Sequence, residues 1–367
     1  LSKPPVVLAI EGSYHGKTLG AYSLTWHAPG RDALGLNGPF EVVWLPRDDS
    51  AAASEIFERY QVDIETSDGP VRFSRIAGLF LEPIQGEGGI FPLSKDFAGT
   101  LRKLADAVEC PIVVDEIQSG MGRAGAFTAS SLIDLRGDYY LFGKSLGGGL
   151  TKTTALLIDA ERYAEGYGFA HTSTFAEDDH GALVALRALQ LLDEDDIATR
   201  ARVAGKYLTD SLEEVKARYP SVLSAVRGCG LMAGFELSSQ QDNASQLIRG
   251  LSEQGLLGVF VASYLLHRCG VRVGTTLSRP STLRLEPSAY ISRAEMDQAV
   301  RSVEAVCQVI ASDNAADLVR HLAQSFRREG QTPFKLSENP VAGRTEPVHA
   351  SVTAAQKQAV FLGHMIS

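Results

Sequence analysis

Short apolar runs alternate with helical patterns through the first half of the chain. The helical patterns carry apolar residues every three or four positions, as at residues 51–60 and 97–108. The apolar runs have the length of buried strands and lie at residues 6–10, 41–45, 76–81, 112–114, 139–142 and 154–158. Buried strands that alternate with helices indicate an α/β fold, in which helices cover both faces of a mostly parallel sheet.

A sheet of this kind binds its ligands at the carboxyl ends of its strands. Asp115 directly follows the apolar run at residues 112–114, and Lys144 follows the run at residues 139–142 after a single glycine. The sequence therefore predicts that Asp115 and Lys144 lie at the ligand-binding edge of the sheet.

Lys144 stands close to three consecutive glycines, so one role to consider is the binding of a nucleotide phosphate. A phosphate loop needs four residues between its first glycine and the Gly-Lys pair. The two candidates, Gly-Lys-Ser at Gly143 and Gly-Lys-Thr at Gly16, leave five and three residues there. The glycines at residues 147–149 also disfavour a helix after Lys144. An ATPase is therefore disfavoured, although the run at residues 112–114 is followed by two carboxylates, as a magnesium-binding strand is.

The composition argues against several kinds of partner. The 367 residues include 35 basic and 44 acidic side chains, a net charge of -9, and no long basic run, so neither nucleic acid nor a membrane surface is indicated. The four cysteines form no C-x-x-C pair, so no metal site is predicted and a reducing cytoplasm suits them best. No apolar run approaches the roughly 20 residues that a membrane-spanning helix needs.

Helical patterns and strand-like runs also follow residue 180. The helical patterns lie at residues 180–193 and 197–219. The strand-like runs lie at residues 231–237, 271–273 and 282–285. Ser292 and Glu295 have the spacing of a capping box that begins a further helix. This mixture indicates a second, smaller α+β domain.

The patterns divide the chain into three parts. We expect a large domain at residues 1–205, a small domain at residues 206–311, and an extra helix with a proline-bearing linker at residues 312–367. The extra helix is predicted at residues 314–328. The tail at residues 359–364 resembles a strand, and whether it begins a further domain stays open at this stage.

Asp115 and Lys144 together suit one kind of cofactor chemistry. A buried lysine loses its proton readily and becomes a nucleophile that condenses with aldehydes. A carboxylate that keeps a pyridine nitrogen protonated turns that ring into an electron sink. Pyridoxal phosphate is an aldehyde on a pyridine ring, and its enzymes use both groups. The alternative for Asp115 is structural, as a helix cap or a salt-bridge partner.

Four blocks of the sequence resemble the class III aminotransferases, the ornithine and ω-amino-acid type of the fold type I enzymes. EGSYHGKT at residues 11–18 resembles the family's aromatic-His-Gly-Arg-Thr segment, and LEPIQGEGG at residues 81–89 resembles its Glu-Pro-Ile-Gln-Gly-Glu block. VVDEIQSGMGRAG at residues 113–125 resembles its Asp-Glu-Val-Gln-Thr-Gly-x-Gly-Arg signature, and KSLGGG at residues 144–149 resembles its Schiff-base lysine with the glycine run. The resemblance extends from about residue 6 to residue 311, and it implies fold type I and pyridoxal phosphate as cofactor.

The resemblance also implies roles for the residues around the cofactor ring. Lys144 is implied to form the Schiff base and then to move a proton, and Asp115 is implied to pair with the pyridine nitrogen. Ile117 and Tyr14 are implied to cover the two faces of the ring, for which the alternative is ordinary core packing. Gln118 is implied to reach the phenolic oxygen.

Two further residues belong to the resembling segments. The role of His15, next to the aromatic residue of its segment, is left open. Thr174 stands 30 residues after Lys144, where the family has a threonine that binds the cofactor phosphate of the partner subunit. The resemblance therefore implies a homodimer with shared active sites.

Arg284 and Glu87 resemble a pair that selects substrates in this family. Arg284 resembles the arginine that binds a substrate α-carboxylate through a bidentate contact. The alternative for Arg284 is a surface salt bridge. Glu87 resembles the glutamate that pairs with this arginine and releases it for glutamate or 2-oxoglutarate. The presence of both residues predicts a glutamate/2-oxoglutarate half-reaction.

Two departures from the family pattern stand out. The Ser-Gly-Thr/Ser-Glu-Ala segment that binds the cofactor phosphate at a helix N-terminus precedes the resembling blocks in the family and is absent from this sequence. Because the first residue is Leu1, we expect that further residues precede it. After Thr174, the usual Gly-Gly-Asn is replaced by an acidic stretch. We expect Glu177 and Asp178 to face away from the phosphate or to pair with a cation.

The sequence thus predicts an aminotransferase that moves an amino group between an amine or ω-amino acid and a 2-oxo acid in a ping-pong cycle. Two alternatives stay open within the same fold, an aminomutase and a decarboxylase, because the cofactor residues do not fix which bond breaks. A third alternative is a non-catalytic scaffold, or a module of a multidomain biosynthetic enzyme that acts on a tethered substrate. The linker and the strand-like tail are the reasons to consider such a module.

Overall fold

The described part of the chain alternates between strands and helices. The computed structural model describes residues 3–28, 38–170, 173, 174, 176 and 178–328. Its strands are β1 (Val6–Ile10), β2 (Glu41–Leu45), β3 (Gln61–Thr66), β4 (Gly69–Ser74), β5 (Ile76–Leu81), β6 (Ile84–Gln85), β7 (Phe91–Pro92), β8 (Ile112–Asp115), β9 (Tyr139–Phe142), β10 (Ala155–Ile158), β11 (Leu223–Cys229), β12 (Met232–Leu237), β13 (Gly274–Thr275) and β14 (Thr282–Leu285). Its α-helices are α1 (Leu19–Ser23), α2 (Ser50–Arg59), α3 (Lys95–Ala107), α4 (Glu165–Ala170), α5 (Asp179–Glu194), α6 (Ile197–Arg218), α7 (Gln246–Glu253), α8 (Leu257–Cys269), α9 (Arg293–Ala311) and α10 (Ala315–Arg328).

The larger sheet has six strands in the order β10-β9-β8-β5-β1-β2. Its neighbours are parallel except for the edge strand β10, which runs antiparallel to β9. From β1 the chain passes first to β2 on one side and later to β5 on the other. This reversal is a topological switch point, where the loops after two adjacent strands separate and leave a crevice for a ligand.

The core of the larger sheet explains why its strands read as unbroken apolar runs. All five side chains of β1 and all four of β8 are buried, because helices cover both faces of a parallel sheet. Helix α3 begins where the sequence gives it a cap: the side chain of Ser94 accepts a hydrogen bond from the amide of Phe97. Phe97 and Leu101 of this helix then join the apolar core of the sheet.

A second, antiparallel sheet follows, with the strand order β11-β12-β14-β13. Its apolar cluster includes Phe235 of β12 and side chains from α6 to α10. Helix α6 runs across residue 205, and its C-terminal half contributes Leu208 and Leu212 to this cluster. The predicted division of the chain at residues 205 and 311 stays a prediction.

The start of α9 is confirmed as a capping box. The side chain of Ser292 accepts from the amide of Glu295, and the carboxylate of Glu295 accepts from the amide of Ser292. The predicted extra helix is also present as α10, whereas the linker and the tail beyond residue 328 lie outside the described residues.

The fold differs from the sequence predictions in several places, and α4, β11, α7 and α8 were not predicted. The strand predicted at residues 271–273 is wrong, because these residues complete the end of α8. Gly270 adopts the left-handed conformation there, and the amide of Val271 bonds back to the carbonyl of Leu265. The hairpin of β3 and β4 was not predicted, since most of its side chains are exposed and carry no regular apolar signal.

Among the described helices, none combines the length and the apolar character that a membrane-spanning helix requires. The longest of them, α6, carries charged residues along its whole length.

Candidate active site

Four neighbouring strands of the larger sheet bring the candidate residues to one edge. Glu82 follows β5, Asp115 ends β8, and Lys144 lies two residues after β9. The loop after β1 carries Tyr14 and His15. Because β1, β5, β8 and β9 are mutually parallel, their carboxyl ends meet at the same edge, and β1 and β5 flank the switch point.

Asp115 is buried and held by two donors. Nδ1 of His15 lies 2.9 Å from Oδ2 of Asp115, and the amide of Ile117 donates to Oδ1 at 3.1 Å. Burial lowers the pKa of His15, but the hydrogen bond and charge of Asp115, together with the charge of Glu82, raise it above its ordinary value. The outcome is a buried imidazole, with a pKa above its ordinary value, that orients a carboxylate at the end of β8.

Glu82 is a second buried carboxylate in the same place. Its Oε1 accepts from the amide of Tyr14 at 2.8 Å, and its Oε2 accepts from the amide of Gly86 at 3.2 Å. The pKa of Glu82 is raised to about 7: burial and the charge of Asp115 raise it, whereas the charge of His15 and the two backbone hydrogen bonds lower it. Glu82 therefore fastens the loop that carries Tyr14 to the loop that carries Glu87.

Lys144 begins a short 3-10 helix, Lys144–Gly147, and not an α-helix, as the following glycines predict. Its φ of 48° is in the left-handed region, which is uncommon for a residue with a side chain. Gly143, which precedes Lys144, lies against the turn that follows Asp115. A Cβ atom on Gly143 would be 3.7 Å from Cγ1 of Ile117.

The lysine was expected to be buried, and in the single chain it is exposed. The apolar side of its segment is covered, because Leu146 packs with Met121 and Phe142, and α5 lies against the glycines. No described residue covers Lys144 itself.

Glu87 and Arg284 form the predicted pair. Oε1 of Glu87 lies 2.9 Å from Nη2 of Arg284, and both side chains are largely buried. Oε2 of Glu87 accepts from the amide of Leu277, and Nη2 of Arg284 also donates to the carbonyl of Thr275. Nε of Arg284 is buried without a partner among the described residues, so one donor of the guanidinium is left for another acceptor.

The other predicted residues lie in different surroundings: some are in the turn after β8, and others are at the exposed start of α5. Ile117 and Gln118 are half-buried in the turn after β8, and Nε2 of Gln118 donates to Oε1 of Glu286 at 2.8 Å. Thr174 stands apart in an exposed turn before α5. Asp178 caps α5, where its carboxylate accepts from the amide of Gly181 at 2.7 Å. Glu177 lies outside the described residues.

Glu116, the second carboxylate after β8, has a structural role. It is buried and accepts from the hydroxyl of Ser119 and the amides of Ala129 and Ser130, at 2.7, 3.0 and 2.8 Å. These three donors occupy the carboxylate, so it is not available to hold magnesium. This geometry removes the remaining support for an ATPase.

Two residues of the site were missed by the sequence analysis. Glu82 directly follows an apolar strand, which is the same signal that identified Asp115, and it could have been found in that way. Glu286 lies 168 residues from its partner Gln118, and no local pattern connects the two.

The donors and acceptors at this edge fit pyridoxal phosphate. Asp115 offers a buried, oriented carboxylate, which suits a protonated ring nitrogen. Lys144 supplies the amine near the same turn. Nε2 of His15 is buried without a partner among the described residues, so this ring nitrogen is available for one further hydrogen bond.

Comparison with known proteins gives one family and many relatives. The family model described as Aminotransferase class-III matches residues 2–307. An ornithine aminotransferase from Staphylococcus carnosus is 29% identical over 300 residues, which cover 82% of this chain and 66% of that protein. A diaminobutyrate–2-oxoglutarate aminotransferase from Rhizobium meliloti is 29% identical over 305 residues, covering 80% and 63%.

Solved structures give the same picture of the fold. The crystal structure of the ornithine aminotransferase from Toxoplasma gondii ME49 matches with a TM-score of 0.68 and 24% identity, over 86% of this chain and 67% of that one. The chain spans somewhat less than two thirds of the length of the curated relatives that it matches.

The raised pKa of Glu82 leads to a prediction about stability. A carboxyl group whose pKa rises on folding stabilises the fold while it is protonated; this contribution is complete below the unfolded-state pKa and is lost as the pH rises through about 7. Glu82→Gln stays neutral and keeps the contribution. We subtract the free energy of unfolding of the parent from that of Glu82→Gln. We expect this difference to increase by about 2 to 3 kcal/mol from about pH 5 to about pH 8.

Urea denaturation across this pH range measures the difference. Glu253→Gln, at the exposed end of α7, is the matched control, because it removes one negative charge from the surface. A difference between Glu82→Gln and the parent that stays constant with pH would contradict the prediction.

Proposed function

We propose that this chain, which belongs to the class-III aminotransferase family, transfers an amino group between an amine or ω-amino acid and a 2-oxo acid. Its fold is that of the fold type I pyridoxal-phosphate enzymes, as the sequence predicted, and the family depends on this cofactor. One observation carries the proposal: Asp115, held by His15, ends β8 beside the strand β9 that leads into Lys144.

The residues at the edge of the sheet can divide the work. Pyridoxal phosphate, when bound, supplies an aldehyde that exchanges between amines and a ring that takes up an electron pair. Asp115 would hold the ring nitrogen, Tyr14 and Ile117 would cover the ring faces, and Gln118 would reach the phenolic oxygen. Lys144 would accept the proton from the carbon that bears the substrate nitrogen and return it at the neighbouring position.

His15 acts on Asp115 in this scheme. Its imidazole is buried, is paired with Oδ2, and has a raised pKa. This pairing would keep the carboxylate of Asp115 turned toward the ring nitrogen. The role that the sequence left open for His15 is thus proposed to be one of positioning.

Glu87 and Arg284 support 2-oxoglutarate as the amino acceptor. With the pair closed, the guanidinium is neutralised, and a substrate that has no carboxylate at this position meets no unpaired charge. When a dicarboxylate enters, its carboxylate can replace Glu87 on Arg284. Nε of Arg284, which is buried and has no partner in the described part of the chain, provides a second donor for a bidentate contact.

A homodimer is proposed from the surface near Lys144. Leu183 and Leu186 of α5 are 67% and 53% exposed, and Leu150 beside the glycine run is 83% exposed. Apolar side chains grouped in this way mark an interaction surface. A second copy on this surface would also give Thr174, which is exposed just before α5, a route to the phosphate in the partner's site.

A cytoplasmic location is proposed from the cysteines. All four are free, and Cys110 and Cys307 are buried. Proteins in oxidising compartments more often pair their cysteines.

The covalent role of Lys144 can be tested on the purified protein with added pyridoxal phosphate. We expect borohydride to fix the cofactor on the peptide that contains Lys144, with a visible absorption band that a substrate amine bleaches. Lys144→Ala should lose the adduct and about 10³-fold of the transamination rate. Lys152→Ala, an exposed lysine eight residues later, is the control. An adduct on another lysine, or an undiminished rate in Lys144→Ala, would overturn the assignment.

Arg284 and Glu87 should change the use of 2-oxoglutarate in opposite directions. Arg284→Gln removes the charged partner of the carboxylate, so the KM for 2-oxoglutarate should rise by about 10- to 100-fold. Glu87→Gln removes the competitor for the guanidinium, so the same KM should fall. Steady-state kinetics with a fixed amino donor measures both. A KM that is unchanged in Arg284→Gln would refute the proposed half-reaction.

The dimer surface makes a separate prediction. Leu183→Asp places a charge on the exposed apolar face of α5 and should shift the protein from dimer to monomer, as measured by light scattering after size-exclusion chromatography. Val71→Asp, on the exposed hairpin, is the control, because Val71 is also about half exposed. If Leu183→Asp and the parent have the same mass, α5 does not form the interface.

A further inference from the structure

Three arginines converge on one phenylalanine behind the Glu87 loop. The guanidinium carbons of Arg47, Arg227 and Arg279 lie 3.8, 4.1 and 5.2 Å from the ring centroid of Phe91. Arg47 follows β2, Arg227 lies in β11, and Arg279 lies between β13 and β14. We call these three residues the arginine cluster. The fold thus brings like charges together from distant parts of the sequence.

The carboxylates around the arginine cluster leave Arg47 without close neutralisation. Glu236 pairs with Arg227 at 2.6 Å and with Arg279 at 3.0 Å. Among the described residues, Arg47 pairs with Asp48 at 4.0 Å and feels the charge of Glu11, and its Nη1 donates to the neutral Gln85 at 2.9 Å.

The electrostatics of Arg47 reflect this imbalance. Burial lowers its pKa, the charges of Arg279 and Arg227 lower it further, and the charges of Asp48 and Glu11 oppose these effects. The arginines therefore repel one another. A bound anion would relieve this repulsion.

The cluster is open to solvent. The side chain of Arg279 is 46% exposed and that of Arg47 is 25% exposed. Phe91 is only half-buried between them. A ligand can therefore reach two of the three guanidinium groups from outside, while Arg227 supports the ring from within.

The cluster is connected to the candidate active site through two loops. The amide of Ser278, next to Arg279, donates to the carbonyl of Glu87 at 3.0 Å. Gln85, which binds Arg47, donates to the carbonyl of Glu11 in the loop that carries Tyr14. The end of β2 is four strand positions from the end of β9, or about 19 Å at the usual spacing of roughly 4.8 Å.

We propose that the arginine cluster binds a phosphate group carried at the far end of the amino substrate. Guanidinium groups offer forked donors that match phosphate oxygens, and several of them around one site suit a dianion better than a single carboxylate. A carboxylate close to the reacting carbon already has Arg284. The proposal rests on the proposed transamination and deepens it, because it assigns a long, phosphate-bearing class of substrate.

Two series of amino donors test this on the protein saturated with pyridoxal phosphate, so that the cofactor's own phosphate is not a competitor. The first is a series of ω-aminoalkyl phosphates of increasing chain length, and the second is the matching ω-amino alcohols. We expect kcat/KM to favour the phosphate by about tenfold or more at one range of lengths. The ratio of the two values is independent of the fraction of active protein.

Arg279→Gln and Arg47→Gln should each bring this ratio close to one. Arg72→Gln is the matched control, because Arg72 is exposed on the hairpin and pairs with Glu58, away from the cluster. The control should keep the ratio of the parent.

Calorimetry with inorganic phosphate, at an ionic strength held constant with chloride, distinguishes the source of the phosphate. Binding that is lost in Arg279→Gln, together with equal use of both donor series, would support the site and assign it to free phosphate. Ratios near one in the parent and no binding of inorganic phosphate would overturn the proposal. Failure of the transamination itself would show separately, as the absence of a Lys144 adduct and of turnover with any donor.

Discussion

Two carboxylates must be buried together at the switch point of the larger sheet, and the site depends on how this is achieved. Glu82 and Asp115 end neighbouring strands, where water cannot solvate them, and a buried charge is costly unless it is paired and hydrogen-bonded. The imidazole of His15 and three backbone amides provide the compensation. The loop with Tyr14 and His15, the loop with Gly86 and the turn at Ile117 are each tied to these side chains.

The position of Glu87 illustrates this dependence. Glu82 holds the amide of Gly86, and the next glycine, Gly88, lies against the loop after β1 so closely that a Cβ atom on it would be 2.8 Å from the carbonyl of Gly12. Glycine is therefore required where the two loops meet. Because the loop is fixed from both sides, the backbone of Glu87 is held where its carboxylate can reach Arg284.

Local patterns account for the parts of the site that could be predicted. Asp115 and Lys144 were found because each follows an apolar run, and the end of a parallel strand is visible in the sequence. The hairpin of β3 and β4 and the contact of Gln118 with Glu286 carry no such signal. Their existence depends on packing between segments far apart in the chain. The arginine cluster also carries no local signal, because Arg47, Arg227 and Arg279 are far apart in the sequence and meet only in the folded chain.

The charges around the site are separated in space, and this separation bears on how a substrate is oriented. The strand termini hold the buried acids Glu82 and Asp115, with the exposed Lys144 beside their turn. Arg284 and the arginine cluster place positive charge on the other side of the Glu87 loop, although the chain as a whole carries a net charge of -9. In the proposed transamination, a substrate with an amine at one end and anionic groups at the other would bind with the amine toward Lys144. Orientation of this kind is fixed by electrostatics before any contact specific to the substrate is made.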